Sequence, residues 1–125
     1  GGLAVALAEC CMMQRDAVVG AQVDLSHWPG LPLRALLFGE AQGRVVVSTP
    51  DAAAVLQLAA SHGVPARVIG QVMKDSGSLE ISVGSRRILA PLARLAAAYH
   101  DAIPLAMSQP ASIAAVAAAG LERPN

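Results

Sequence analysis

The residues able to take part in chemistry sit near two turns. Gly1-Gly2 leads directly into the helix-forming stretch Leu3-Ala4-Val5-Ala6-Leu7-Ala8-Glu9. Glycine lets backbone approach a ligand or a neighbouring strand closely, and the first N–H groups of a helix lack intrahelical partners, so such a junction can hold an anion. Glu40 and Gln42 form the second candidate. A carboxylate and an amide at i and i+2, just ahead of a strand, point to the same side and can hydrogen-bond a ribose or an amide.

Other reactive groups have simpler explanations. Asp24, Ser26 and His27 suggest a hydrolase, but a nucleophile needs a base oriented across the fold, and these three crowd one strand end. Arg86, Arg87 and Arg94 can bind phosphate or a partner, but a solvated edge that discourages aggregation is the simpler reading. Cys10 and Cys11 are adjacent, a spacing that rarely meets disulfide geometry, so they read as small apolar residues packed on a helix in a reduced, cytoplasmic setting. Met12 and Met13 read as core, and no metal cluster suggests itself.

Composition narrows the classes. A chain of 125 residues fits one domain, and 54% of it is apolar although aromatics make up only 2%. Its core must be built from Ala, Val and Leu. Nine basic and nine acidic residues cancel, so no charge field favours a nucleic acid or an anionic membrane. Glu9, Arg15 and Asp16 interrupt the first apolar run well short of the roughly 20 residues that span a bilayer.

The elements that must position these residues follow from apolar spacing. Leu3, Leu7 and Cys11 recur one turn apart, predicting a buried helix over 2–14. From Val18 to Leu25 the pattern alternates, with Ala21, Val23 and Leu25 on one face of a half-buried strand. Pro29, Gly30 and Pro32 force a turn, and Leu33 to Phe38 reads as a short helix ended by Gly39. The β-branched run Val45-Val46-Val47 suits an interior strand.

The next helix, over 50–62, is signalled by Thr49 as cap, Pro50 at its first position and Asp51 at the positive end of the dipole. Its stripe is Ala52, Val55, Leu56 and Ala59, and Gly63 ends it. A strand from Pro65 carries Val68, Ile69 and Val72, with a right-handed crossover if it runs parallel to the Val45–Val47 strand. Leu79, Ile81 and Val83 alternate ahead of Gly84-Ser85, a type II′ hairpin signature that returns Arg86–Ala90 antiparallel. Pro91 opens a last helix with Leu92, Leu95, Ala96 and Tyr99 buried, ending by Pro104. These elements make an α+β domain on a mixed sheet over 1–104, followed by an alanine-rich tail over 105–125 in which Ser112–Ala119 is either a loosely attached helix or disordered.

Several segments in order carry a family resemblance. Gly1-Gly2-Leu3-Ala4-Val5-Ala6-Leu7-Ala8-Glu9, Gly20-Ala21-Gln22-Val23-Asp24-Leu25 and Leu37-Phe38-Gly39-Glu40-Ala41-Gln42-Gly43-Arg44-Val45-Val46-Val47-Ser48 come first. Gly63-Val64-Pro65-Ala66, Ile69-Gly70 and Asp101-Ala102-Ile103-Pro104 follow. Together they resemble the C-terminal part of the phosphoribosylformylglycinamidine synthases, in the aminoimidazole ribonucleotide synthetase superfamily.

That resemblance implies a three-layer α/β/α, partly ferredoxin-like domain of a purine-biosynthesis ligase. The ligase uses ATP and magnesium to convert formylglycinamide ribonucleotide to the amidine, with ammonia released from glutamine by a glutaminase subunit or domain. The chain matches the second C-terminal-type domain of such an enzyme and reads as a piece cut at Gly1, its partners being the other domains, with a homodimer as a further arrangement. In the family an aspartate precedes the two glycines, so Gly1 and Gly2 become candidates for a nucleotide phosphate, or for a purely steric role.

The first half of a family chain carries Glu-Ser-Gln against substrate where Glu40-Ala41-Gln42 stands here. This makes Glu40 and Gln42 either substrate contacts or a strand entry in which Glu40 pairs with Arg44. The catalytic histidine belongs to other parts of the family chain, so His27, His62 and His100 are not assigned that role, and the isolated piece is expected to be inactive and to bind neither ATP nor magnesium tightly. A non-catalytic packing or dimerisation module is the alternative. So is the same domain of aminoimidazole ribonucleotide synthetase, selenophosphate synthetase or thiamine-phosphate kinase.

Overall fold

Two segments with period-two apolarity, far apart in sequence, build the centre of the sheet. The computed structural model describes residues 1–14, 18–28 and 30–108. Its elements run α1 (Gly2–Met12), β1 (Gly20–Asp24), α2 (Leu33–Phe38), α3 (Ala52–Ser61), β2 (Gly70–Met73), β3 (Ser78–Val83), β4 (Arg86–Pro91), α4 (Leu92–His100) and α5 (Ala102–Ser108). The strand order is β2-β1-β3-β4. β1 and β3 pair in parallel and the outer strands are antiparallel to their neighbours, giving the mixed sheet of an α+β domain.

Register puts the apolar residues on one face. Ala21 pairs with Leu79 and Val23 with Ile81, while Leu79 and Ile81 face Ala90 and Ile88 across the hairpin. Leu3, Leu7, Cys11 and Met12 of α1, Leu36 and Leu37 of α2 and Leu92 of α4 join Val23, Leu25, Leu79 and Ile81 in one cluster. Burying each of the large side chains contributes about 1.5–3 kcal/mol, so this cluster is the main source of stability. The opposite face is polar: Arg87 Nη2 donates to Glu80 Oε2 at 2.6 Å, and Gln22 Nε2 lies 3.5 Å from Glu80 Oε1.

The hairpin forms as its sequence predicts. Gly84 takes φ 58°, and no described residue other than glycine has a positive φ, which is the type II′ pattern. Ser26 ties this turn to the end of β1, since its Oγ accepts the Gly84 N–H at 2.8 Å and donates to Asp24 Oδ1.

Several expectations change. Val45–Val47 is not a strand among the described residues, and Val45 and Val47 are 80% and 62% exposed. A strand needs a partner for its N–H and C=O groups, and none lies alongside among the described residues. The stretch from Pro65 enters the sheet only at Gly70, antiparallel to β1, so the parallel crossover does not arise. Asp51, not Thr49, caps α3: its Oδ1 accepts the Ala54 N–H at 2.9 Å, while Thr49 Oγ1 accepts the Asp51 N–H at 3.1 Å.

α3 stops at Gly63, φ 66°, as predicted, but buries none of its residues. Gly39 ends α2 as expected, with φ −66° and its N–H reaching Ala35 O at 2.9 Å. Met13 and Tyr99 are 80% and 58% exposed, and Cys10 is exposed, because each falls off the buried stripe of its helix. α5 runs across the boundary placed after Pro104, with Pro104 in its first turn, where no intrahelical N–H is required. The Pro29 part of the turn and the tail segment Ser112–Ala119 lie outside the described residues.

Candidate functional site

The first turn of α1 meets the end of α2, and this contact dictates the residues found there. Gly2 has φ 75°, and a Cβ on it would fall 2.5 Å from Phe38 Cα and 2.8 Å from Leu37 O. Only glycine permits that conformation and that approach together. The steric role of Gly2 is therefore explicit in the structure.

Beyond Phe38 the chain turns through Gly39 and brings Glu40 back over the start of α1. Glu40 Oε1 lies 2.5 Å from the Gly1 nitrogen. The side chain is nevertheless 79% exposed. A groove of about 210 Å³ opens beside it, lined by Gly2, Leu3, Ala6, Glu40, Arg44 and Val46 among others.

The structure thus gathers Gly1, Gly2 and Glu40, and leaves Gln42 out. Gln42 and Gly43 form a turn, with Gly43 at φ 73°, so the alternation that would place Gln42 beside Glu40 is broken. Arg44 takes its place in the groove wall. Glu40 and Arg44 share the groove, and the expected ion pair between them is absent among the described residues. Arg44 was legible only as a counter-ion; its position after a glycine turn was the available signal.

These residues make an anion-tolerant edge and little more. Magnesium takes several oxygen ligands, whereas Glu40 is the only carboxylate in the groove, and the described residues hold no group of three or more His, Cys, Asp and Glu side chains. The groove is also smaller than the roughly 300–1,000 Å³ of small-molecule sites. The residues present here do not by themselves fit a nucleotide with its magnesium.

The remaining candidates are structural. Asp24 is drawn below the usual range by the Ser26 hydroxyl and then by the Ser26 N–H, so the pair closes a turn and leaves no free nucleophile. Arg87 serves Glu80. A second depression of about 290 Å³ lies along α4 between Val18, Ala96, Ala97 and His100, where His100 Nε2 is buried without a partner among the described residues. No described helix is long and apolar enough to cross a membrane.

Comparison with known proteins places this geometry in context. The family model described as AIR synthase related protein, C-terminal domain, matches residues 1–82. The phosphoribosylformylglycinamidine synthase subunit PurL of Chlorobium luteolum is 46% identical over 107 residues, covering 82% of this chain and 14% of that protein. The same-named subunit of Anaeromyxobacter sp. strain Fw109-5 is 38% identical over 133 residues, covering 98% of this chain and 16% of its own length. That of Salinibacter ruber is 41% identical over 112 residues, 86% of this chain and 14% of the relative. No solved structure matches. The chain therefore spans only 14 to 16% of the length of these relatives.

Proposed function

The chain belongs to the AIR synthase related family through its C-terminal domain, and from that membership we propose that it works as the C-terminal domain of a phosphoribosylformylglycinamidine synthase. In this reading the complete enzyme converts formylglycinamide ribonucleotide to the amidine with ATP and glutamine-derived ammonia, and a glutaminase subunit or domain supplies the ammonia. The observation that carries it is the match over residues 1–82 together with 46% identity to a relative of that name.

The division of labour follows from what the described groove offers. Nucleotide and magnesium are held chiefly by other domains, since the groove beside α1 offers one carboxylate and one guanidinium among its lining residues. Glu40 and Arg44 contribute the wall of a cleft completed by the rest of the polypeptide, and Gly2 fixes that wall by locking α1 against α2. The apolar cluster supplies the rigid support on which such a wall depends.

The test is ammonia-supported amidine formation by the full-length protein that carries this domain. ATP-dependent product is expected from the full chain and none from the 125 residues alone. A full-length protein that makes no amidine with formylglycinamide ribonucleotide, but turns over another substrate of the superfamily, would overturn the assignment.

A further inference from the structure

The chain has two cysteines and four methionines, and Cys10-Cys11-Met12-Met13 gathers both cysteines and two of the methionines into one turn of α1. The fold divides these four sulfurs into pairs. Cys11 and Met12 are 3% and 4% exposed and belong to the core, so packing accounts for them. Cys10 is exposed and Met13 is 80% exposed, and packing accounts for neither.

Helical spacing sets the exposed pair side by side. Met13 continues the helical backbone as the C-cap of α1, with φ −56° and ψ −33°. Cys10 and Met13 therefore stand at i and i+3, a separation of about 5–6 Å between Cβ atoms, close enough for both sulfurs to meet one ion. The surroundings favour a cation. The last turn of α1 carries no basic residue, the end of the helix dipole there is negative, and the exposed Glu9 precedes Cys10 directly and Met13 by one turn.

The donor set selects the ion. Thiolate and thioether are soft ligands that suit copper(I), whereas magnesium and calcium take oxygen. Structural zinc takes four nitrogen, sulfur or oxygen ligands, and the described residues hold no group of three or more His, Cys, Asp and Glu side chains. We propose that Cys10 and Met13 form a surface site for copper(I) at the C-terminal end of α1. On binding, the Cys10 thiol gives its proton to solvent, a bond forms between Cys10 Sγ and the metal, and Met13 Sδ donates a lone pair; no oxidation state changes. The groove at Gly2 lies at the other end of this 11-residue helix, so the site stands whether or not the complete protein is a synthase.

Copper(I) binding to the full-length protein tests the pair, measured in ascorbate by competition with the coloured chelator bathocuproine disulfonate. Cys10→Ser is expected to bind one copper(I) fewer per chain than the wild type, and Met13→Leu to hold that same ion at least ~10-fold more weakly. Both side chains are exposed, so neither change disturbs the core. An unaltered stoichiometry in Cys10→Ser overturns the site. An unaltered affinity in Met13→Leu leaves a single thiol that binds metal adventitiously, and overturns the pair.

Silver(I), a monovalent soft ion that needs no reductant, gives a second readout through peptide mass spectrometry of maleimide labelling. It is expected to slow labelling of Cys10 at least ~10-fold more in the wild type than in Met13→Leu at the same silver concentration. Equal protection in the two proteins removes the thioether from the site and overturns the proposal.

Discussion

Gly2 and Phe38 touch backbone to backbone, so closely that a Cβ on Gly2 would lie 2.5 Å from the Phe38 Cα. This contact sets the angle at which α1 leaves the groove, and it has a direct mutational consequence. Gly2→Ala combines a left-handed backbone with a clash against main-chain atoms that cannot swing away. A loss of about 2–3 kcal/mol is expected from urea unfolding of the full-length protein. Gly43→Ala is the control, since Gly43 has φ 73° with nothing within 4 Å of its Cβ position. It should cost only about 1 kcal/mol, from backbone conformation alone. Equal losses at the two sites would remove the steric argument.

Glu80 gives the fold an acid-sensitive ion pair. Its carboxyl is held below the usual range first by the Arg87 hydrogen bond, opposed by desolvation, and the Arg87 guanidinium is correspondingly pushed up. A depressed folded-state pKa contributes stability above the unfolded value, near about 4.3 for glutamate, and that contribution is lost as pH falls through the folded value. Asp24 shifts in the same direction. Urea midpoints measured from about pH 6 to about pH 2 should therefore fall with acid, and Glu80→Gln should fall less across the same window. Identical acid slopes for the two proteins would show that the pair makes no contribution.

The two cysteines should behave as chemically different thiols. Cys10 is exposed, whereas Cys11 is 3% exposed and its thiol is pushed up, first by burial and then by its neighbour. Because the thiolate is the reactive form, a maleimide should label Cys10 in the folded protein and Cys11 only in denaturant. Peptide mass spectrometry reads both sites, and equal labelling rates without denaturant would contradict the packing of α1.

Local signals made most of the architecture legible. Leu3, Leu7 and Cys11 marked the inner stripe of α1, and Gly84-Ser85 marked the hairpin, because each signal is complete within a few residues. From sequence, Asp51 reads as favourable at the start of α3 and Thr49 as its cap. Both side chains can accept a main-chain N–H, and only the geometry decides which of them precedes the first helical turn.

The strand expected at Val45–Val47 failed for a different reason. β-Branched composition reports fitness for a sheet and says nothing of whether a neighbour is present. The candidate site was legible in part, through Gly2 and Glu40. Gln42 was misplaced because a side-to-side argument from i and i+2 holds only in an uninterrupted strand, and Gly43 interrupts it.

The parallel pairing of β1 with β3 carries a consequence for how the chain is made. Gln22 and its partner Glu80 are 58 positions apart. At roughly 5–20 residues synthesised per second, β1 leaves the ribosome several seconds before β3 exists to receive it. During that interval β2 is the first sheet neighbour to reach it, from the other side, so the order of synthesis favours an antiparallel β1–β2 ribbon before the central pair closes. The slow step is then the entropic closure of the long loop between β1 and β2, in which Gly20 meets Met73, after which β3 joins across the short connection from Met73 to Ser78. Until it completes, Val23 and Leu25 are exposed to whatever else is nearby, which makes nascent-chain chaperones relevant to this domain.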